Sequence, residues 1–310
     1  RTLKSTIDVY RKLGAILTFD CTPFFENNVP RFGEICSFSA SGGAVYVNSV
    51  LGARTNREAA QSAMCAAITG VTPEYGLLLE QTRAGDVLIQ VEADVDSEYD
   101  YELLGYITPK KMGQAYHCPV FNGLSKQTTS EQLMDLGTQL NIHGIVPMFH
   151  VVGVTPEAAD VHTAFLGRKD PPVVTITNED LAQARAEISA GTGKADFCIL
   201  GCPHLTINQV GSIAKMLDGQ QLAGQLYIFT STSTKELAQR MGYLDIIHKA
   251  GGEIVINSCV DQPCWSHLYG MSGVTESPKC AYYTKRWNMT FTVKSIPACI
   301  QSVLKGEIVS

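Results

Sequence analysis

The sequence predicts an α/β fold in which mostly parallel sheets are covered by helices on both faces. Composition supports a globular protein, because 45% of the 310 residues are apolar and only 17% are charged. The order of the segments supports the sheet type. From about residue 119 onward, short apolar runs alternate with segments of helical periodicity, which is typical of repeated βαβ units.

The second region of the chain, residues 119–310, contains this regular alternation. Strands are predicted at 145–152, 173–176, 196–201, 226–229 and 253–257. Helices are predicted between them at 156–165, 179–188, 206–217 and 233–241. Thr206 with Gln209, and Ser233 with Glu236, have the spacing of capping boxes at two of these helix starts.

The first region, residues 1–118, is less regular and richer in Gly, Asn, Ser and Thr. A polar helix and two strands are predicted there, at 1–11, 15–19 and 44–47. Thr55 and Glu58 also have capping-box spacing, which predicts a helix over 57–68 that ends before Gly70. The chain is therefore expected to divide into these two α/β regions.

Charge and hydropathy argue against two kinds of partner. The net charge is −6 and Lys and Arg form no stripe, so nucleic acid is not expected to bind. No apolar run reaches the about 18 residues that a membrane-spanning helix needs, so no membrane contact is expected. Residues 1–11 lack the apolar segment of a signal peptide, so we expect a cytoplasmic protein. Its ten cysteines are then expected to be free thiols, some of them metal ligands.

Three cysteines directly follow predicted strands: Cys21, Cys202 and Cys259. Ligands bind beyond the carboxyl ends of strands in open α/β sheets, so these thiolates are expected to meet at one metal centre. A cubane iron–sulfur cluster held by only three cysteines leaves one iron open, and that iron can act as a Lewis acid. The alternative is that all three are ordinary buried cysteines. Cys264 is the most plausible substitute ligand.

Residues 48–57 carry polar and basic side chains beside a predicted helix start. The candidates for binding a carboxylate or phosphate are Asn48, Ser49, Arg54, Thr55, Asn56 and Arg57. A helix N-terminus offers free N–H groups and a positive dipole, and guanidinium groups suit both anions. The alternative is that Thr55 or Asn56 merely caps the helix and both arginines are solvated.

Further candidates lie near predicted strand ends or in a polar loop. His204 closely follows the second of the three cysteines, and Asp20 precedes the first, so both can hydrogen-bond near a metal or substrate. His150 lies near the end of a predicted strand, although a lone histidine in an apolar strand is more often a core residue. Ser277 and Lys279 share a loop that can bind a carboxylate; an ordinary surface loop is the alternative.

Together these stretches resemble the aconitase X family, a branch of the aconitase superfamily. The resemblance covers nearly the whole chain, through residues 21–24, 48–57, 67–70, 149–158, 201–204 and 277–279. It implies aconitase-like three-layer α/β/α domains with mostly parallel sheets around a central cluster cleft. It also implies an iron–sulfur cluster bound by Cys21, Cys202 and Cys259. The 4Fe–4S type is expected, and the 2Fe–2S type is the alternative.

The activity implied by this resemblance is the elimination of water from a small hydroxy acid. The implied substrate is cis-3-hydroxy-L-proline, and phosphomevalonate is the alternative. The low Lys and Glu content does not suggest a hyperthermophile, which favours the first. Residues 48–57 and Lys279 would hold the acidic group, and His150, His204 and Ser277 are the implied catalytic candidates.

The resemblance also implies a partner. The family uses a small swivelling domain or subunit, thought to supply a catalytic serine, and nothing in this chain resembles it. Residues 38–45 lack the acidic residue that related sequences carry, and related large subunits extend further toward the N-terminus, so a piece of the first domain is expected to be absent. The rival interpretations are an inactive relative and a zinc protein whose closed site includes Cys264 or His204.

Overall fold

The N-terminal part of the chain consists of three helices joined by irregular segments. A computed structural model describes residues 2–262 and 264–309 and places α1 at Thr2–Lys12, α2 at Ser41–Ser49 and α3 at Ala60–Thr69. The helix predicted over 1–11 is confirmed as α1, except that Arg1 lies outside the described residues. The strand predicted at 15–19 is wrong. Ile16 is 89% exposed, so this apolar run is not part of a sheet.

The strand predicted at 44–47 is also wrong, because these residues belong to α2. Every residue from 43 to 49 in α2 is buried. A helix that is buried on all sides has a continuous apolar sequence, and periodicity does not distinguish such a short run from a buried strand. The segment that carries the predicted anion site therefore follows a helix rather than a strand.

The helix predicted over 57–68 exists as α3 but begins later, after Ala59. Thr55 does not cap it. Its hydroxyl accepts a hydrogen bond from the Phe38 N–H at 2.9 Å and donates one to the Asn56 carbonyl at 2.8 Å. The predicted end is confirmed, since Gly70 takes the left-handed conformation with φ 72°.

The middle of the chain forms a four-stranded sheet with helices. Its strands are β1 (Val87–Val91), β2 (Pro119–Asn122), β3 (His150–Val151) and β4 (Val173–Ile176). Their order is β3-β2-β1-β4, and all neighbours are parallel. The helices between them are α4 (Glu98–Met112), α5 (Ser130–His143), α6 (Val161–Ala164) and α7 (Asn178–Ser189). The boundary expected after residue 118 falls between β1 and β2, which are hydrogen-bonded neighbours in this one sheet.

Predictions for this sheet are only partly right. The strand at 173–176 and the helix at 179–188 are confirmed as β4 and α7. The strand at 145–152 is reduced to β3, because the side chain of Asn141 takes the place of a neighbouring strand at Val146. Its amide nitrogen donates to the Val146 carbonyl at 3.0 Å, and its oxygen accepts from the Val146 N–H at 3.3 Å. The helix at 156–165 is reduced to α6.

The last part of the chain forms a five-stranded parallel sheet. Its strands are β5 (Phe197–Leu205), β6 (Gln225–Thr230), β7 (Gly252–Val255), β8 (Ser272–Thr275) and β9 (Thr290–Val293). Its helices are α8 (Ile207–Leu217), α9 (Thr232–Arg240), α10 (Tyr243–Ala250), α11 (Pro278–Thr284) and α12 (Ile296–Lys305). The predictions of β5, β6, β7, α8 and α9 are confirmed to within a few residues. The Thr206–Gln209 capping box is present, whereas α9 is capped by Ser231 instead of Ser233.

The strand order of this sheet, β7-β6-β5-β8-β9, sets the position of the candidate site. The chain runs outward from β5 to β7 and then returns to form β8 on the other side of β5. Because all neighbouring strands are parallel, their carboxyl ends lie along one edge. Ligands in such sheets bind where the strand order reverses, which is between β5 and β8. Within the described ranges, no helix is long and apolar enough to cross a membrane.

Candidate metal centre and active site

The three candidate cysteines meet at the edge of the second sheet. Cys202 lies in the irregular end of β5, where pairing with β6 is interrupted after Leu200, and Cys259 lies in the loop after β7. Cys21 enters from the N-terminal part, just before a short turn at Pro23–Phe25. Burial raises the pKa of the Cys202 thiol, the charge of Lys279 lowers it, and the sulfurs of Cys259 and Cys21 raise it further. The three sulfurs are therefore close enough to repel one another as thiolates.

His204 and Asp20 form a buried pair beside this centre. The His204 backbone N–H donates to the Cys21 sulfur at 3.1 Å, and its Nδ1 atom lies 3.1 Å from Oδ1 of Asp20. Nε2 lies 3.0 Å from the Ser258 carbonyl. Burial lowers the pKa of His204, but hydrogen bonds to Asp20 and Cys21 outweigh it and raise the pKa to about 10. His204 is thus a cation that donates from both ring nitrogens, as Asp20 and the carbonyl require.

Asp20, Cys21 and His204 also present a possible donor set for a metal. One donor atom from each lies within 4.8 Å of the others, and among the described residues this is the group of three that meets that distance. Oδ2 of Asp20 is buried and has no hydrogen-bond partner in the described part of the chain. An unpartnered buried carboxylate oxygen is costly, so this position suits a positively charged group.

Glu276 fixes the loop that carries Cys202. Its Oε1 atom accepts hydrogen bonds from the Gly201 N–H at 2.7 Å and from the Cys202 N–H at 3.2 Å. Burial raises the pKa of Glu276, and these N–H groups partly oppose the increase. Sequence reasoning missed this residue, although it directly follows β8 and precedes Ser277.

Lys279 reaches the cysteines from the first turn of α11. Its Nζ atom donates to Ser41 Oγ at 2.8 Å, and its backbone N–H donates to Gln139 Oε1 at 3.0 Å. Burial lowers the pKa of Lys279, whereas nearby Cys202 and Cys21 raise it, and the charge of Arg57 lowers it again. Lys279 therefore lies close both to the thiols and to Arg57.

Ser277 is fully buried and does not belong to an exposed surface loop. It is the N-cap of α11, since its Oγ accepts from the Cys280 N–H at 3.2 Å. The Gln139 amide donates to the same oxygen at 3.3 Å. Ser277 and Lys279 thus share Gln139 as a partner, which orients the start of α11 toward α5.

Most of the predicted anion segment is bound to the protein's own backbone. The contacts are Asn48 Nδ2 to the Thr55 carbonyl (2.8 Å), the Phe149 N–H to Ser49 Oγ (2.9 Å), Arg54 Nη1 to the Leu78 carbonyl (3.0 Å) and Asn56 Nδ2 to the Tyr75 carbonyl (3.1 Å). Arg57 Nη1 donates to Asn141 Oδ1 at 2.9 Å. Arg57 also acts electrostatically on Lys279, and the substrate-binding role of all these residues, Arg57 included, stays a prediction.

His150 is placed in the core of the first sheet. It is 1% exposed, and its Nε2–H donates to the Arg83 carbonyl at 2.8 Å. Its Nδ1 atom has no partner among the described residues, and burial lowers its pKa. A catalytic role for His150 stays a prediction. The buried Arg83, which sequence reasoning missed, forms an ion pair with the half-buried Glu157 and donates to Asn48 Oδ1 at 3.2 Å.

Fold and site define a class: an α/β protein with a parallel sheet, at whose carboxyl edge three thiols lie close together beside a lysine. Models of the aconitase X first, second and third domains match residues 1–81, 85–186 and 195–305. The chain belongs to the aconitase X family.

Curated relatives within this family are dehydratases. The chain is 34% identical over 298 residues to the phosphomevalonate dehydratase large subunit of Thermococcus kodakarensis, covering 95% of this chain and 75% of that protein. It is 34% identical over 264 residues to the cis-3-hydroxy-L-proline dehydratase of Pseudomonas aeruginosa, covering 82% of this chain but 45% of that protein. The crystal structure of Thermococcus kodakaraensis aconitase X in its holo-form matches with a TM-score of 0.85 and 32% identity, over 96% of this chain and 75% of that chain.

Proposed function

We propose that this chain is the cluster-binding catalytic part of a hydro-lyase that removes water from a small hydroxy acid. The observation that carries the proposal is the convergence of Cys21, Cys202 and Cys259 at a sheet edge that also holds Lys279 and Arg57. Thiolates bind iron, and the two cations suit the acidic group of a substrate. One edge of the sheet thus offers both a site for iron and a site for the acidic group of the substrate, and such an elimination needs both.

The residues present fit an iron–sulfur cluster held by Cys21, Cys202 and Cys259, with 4Fe–4S proposed before 2Fe–2S. When bound, such a cluster supplies an open iron that acts as a Lewis acid toward the substrate hydroxyl. The surroundings support this assignment. Lys279 stabilises the thiolate form of Cys202. A nearby positive charge would stabilise Oδ2 of Asp20, which has no hydrogen-bond partner among the described residues. All ten cysteines are free, which supports a reducing compartment such as the cytoplasm.

The chain's own side chains then have separable roles. Lys279 and Arg57 bind the carboxylate or phosphate of the substrate, and Ser41 and Asn141 hold these two cations in place through hydrogen bonds of 2.8 Å and 2.9 Å. His204 holds a proton that Asp20 stabilises. Its position beside the cysteines suits it to protonate the leaving oxygen. The base that takes the substrate's proton is proposed to come from a small swivelling partner.

Two substrates remain candidates. Cis-3-hydroxy-L-proline is the first, on the compositional argument that low Lys and Glu content does not suggest a hyperthermophile. Phosphomevalonate is the second. It is supported by the Thermococcus large subunit, which is 34% identical to this chain over 298 residues, against 264 residues for the Pseudomonas hydroxyproline enzyme. The large-subunit relatives also support a small-subunit partner for this chain.

The test is anaerobic purification followed by a visible spectrum and iron and sulfide analysis. Wild type, Cys202→Ala and Cys65→Ala are compared, because Cys65 is an exposed cysteine in α3. Wild type and Cys65→Ala are expected to be brown and iron-loaded, whereas Cys202→Ala loses the cluster. Both substrates are then assayed with an added small subunit. A wild type that binds zinc and takes up no iron on reconstitution contradicts the proposal and favours the zinc site of Asp20, Cys21 and His204.

A further inference from the structure

The segment that carries Cys21 contacts the second sheet and its helices through side chains. Cys21 comes from the N-terminal part, whereas Cys202 lies in β5 and Cys259 lies in the loop after β7. One contact is at Cys21 itself, because the His204 N–H donates to its sulfur at 3.1 Å. Another is at Glu26, a little further along the same segment. The contacts of Glu26 therefore bear on where Cys21 lies.

The carboxylate of Glu26 binds the first turn of α9. Its two oxygens share the Ser231 hydroxyl, each at 2.8 Å, and Oε1 also accepts the Thr234 hydroxyl at 2.8 Å. The serine and the threonine are each 3% exposed. Ser231 is also the N-cap of α9, because its Oγ accepts the Thr234 N–H at 3.0 Å. A carboxylate at this end of a helix is further stabilised by the helix dipole.

This contact lies at the end of the strand that separates the strands of the other two cysteines. Ser231 directly follows β6, and β6 lies between β5 and β7 in the sheet. These parallel strands end at one edge. Thr232, the first residue of α9, also donates to Asn257 Oδ1 at 3.3 Å, two residues before Cys259. Through Glu26 and Asn257, the first turn of α9 thus contacts the segments of two of the three cysteines.

A hydrogen-bonded turn connects Glu26 to Cys21. The Pro23 carbonyl accepts the Glu26 N–H at 3.1 Å. Phe24 in the same turn is 2% exposed, and its ring stacks on that of Tyr46 in α2 with 4.4 Å between the ring centroids. Because the turn is hydrogen-bonded internally and packed against a buried helix, a shift of Glu26 is expected to move Cys21 with it.

We propose that Glu26 is a positioning residue for the metal centre, because its hydrogen bonds to α9 hold Cys21 where it can share a cluster with Cys202 and Cys259. This inference rests on the proposed function, although the contacts themselves are present without a metal. Cys202 and Cys259 belong to one sheet, so their spacing follows from its strands. Cys21 lies in an irregular segment, so its position depends on side-chain contacts of this kind.

The first test follows amide hydrogen exchange in metal-free protein by mass spectrometry. The His204 N–H donates to the Cys21 sulfur, so its exchange reports whether Cys21 is in place. Glu26→Ala is expected to speed exchange at His204 and in the turn of residues 22–28 by about tenfold, because hydrogen bonds to a charged group are lost. Exchange in β6 is expected to match wild type, which separates a local effect from general unfolding.

The control for this test is Glu34→Ala. Glu34 is an exposed glutamate of the same N-terminal part, and its carboxylate accepts the nearby Arg31 N–H at 2.8 Å. Glu34→Ala is expected to exchange as wild type does at His204 and in the turn.

The second test measures the rate at which iron passes from reconstituted protein to a chelator. Glu26→Ala is expected to release iron about tenfold faster than wild type, and Glu34→Ala at the wild-type rate. Glu26→Gln keeps an oxygen that accepts from Ser231, so an intermediate rate is expected. Thr234→Val removes one donor but leaves the N-cap of α9 in place. It is expected to have a smaller effect than Glu26→Ala and to add nothing to it.

The outcomes separate this inference from the cluster assignment. Wild-type exchange at His204 in Glu26→Ala overturns the positioning role, as does wild-type iron release from that variant. Faster exchange that includes β6 also overturns it, because Glu26 would then stabilise the fold in general. A wild type that takes up no iron contradicts the proposed cluster. Faster exchange at His204 in Glu26→Ala would in that case still support the positioning of Cys21 by Glu26.

Discussion

The Nζ atom of Lys279 donates a hydrogen bond of 2.8 Å to Oγ of Ser41. This contact joins the first turn of α11, which follows the second sheet, to the first residue of α2 in the N-terminal part. A serine hydroxyl accepts this hydrogen bond without neutralising the charge of Lys279, whereas a carboxylate partner would neutralise it.

Lys279→Met is therefore expected to weaken substrate binding much more than cluster binding. Removing a charged group aimed at a substrate anion typically costs about 10²-fold or more in kcat/KM. The measurement is dehydratase activity with a supplied small subunit, alongside iron content. Lys285→Met changes an exposed lysine just after α11 and is expected to leave both unchanged. Loss of iron in Lys279→Met with normal activity per iron would show that the lysine acts only through the thiolates.

The identity of the third thiol ligand is testable by comparing Cys259 with Cys264. Burial raises the pKa of both thiols, but only that of Cys259 also responds to Cys21 and to His204. Cys259→Ser is thus expected to lose most of its iron, and Cys264→Ser is expected to keep it. Iron and sulfide analysis after anaerobic reconstitution measures this. The reverse result would make Cys264 the ligand.

The second sheet was largely predictable, and the N-terminal part was not. The strands predicted at 196–201 and 226–229 are short apolar runs between helices with polar faces, so the hydrophobic period and the segment length both predict strands there. Residues 44–47 are equally apolar but form a helix that is buried on all sides, where the sequence contains no period to detect.

The convergence of the cysteines was predictable even though one of its premises is wrong. Cys21 does not follow a strand, yet it still reaches the centre, because the irregular segment before it leads to the same edge as β5. Arg83 and Glu276 could not be found in this way. Their partners, Glu157 and the Cys202 N–H, are far along the chain, and only the folded structure brings them together.

Arg83 is expected to be the main polar anchor beneath the predicted anion segment. It is 1% exposed, pairs with Glu157 and donates from Nη2 to the Asn48 carbonyl at 3.0 Å. Arg83→Met leaves Glu157 and this carbonyl without their partner, and removing one member of a buried ion pair costs about 3–5 kcal/mol. Urea unfolding of wild type and variant measures the loss in the free energy of unfolding.

Two further variants make the Arg83 prediction specific. Arg168→Met changes an exposed arginine that donates to the Gln81 carbonyl, and its effect is expected to stay within about 0.5 kcal/mol. Adding Glu157→Gln to Arg83→Met is expected to recover part of the loss, because the uncompensated charge disappears. A cost for Arg83→Met that is no larger than for Arg168→Met would contradict the anchor role.

His150 is expected to make stability depend on pH. Its pKa is lowered from 6.5 by burial, and protonation would place a charge on Nδ1, which has no partner among the described residues. The unfolded chain then binds a proton more readily than the folded one. The contribution of His150 is therefore fully present above about pH 6.5 and is lost as the pH falls toward the lowered folded pKa, by up to about 1.4 kcal/mol per pH unit.

His150→Gln isolates this effect, because glutamine can still donate to the Arg83 carbonyl but cannot take up a proton. We expect the free energy of unfolding of wild type to fall more steeply than that of the variant between about pH 6.5 and pH 5. His248→Gln, at an exposed position in α10, is expected to follow wild type. Identical pH slopes for wild type and His150→Gln would mean that the folded protein accommodates the charged ring. A loss of activity in His150→Gln at unchanged stability would then favour a catalytic role for His150 over a structural one.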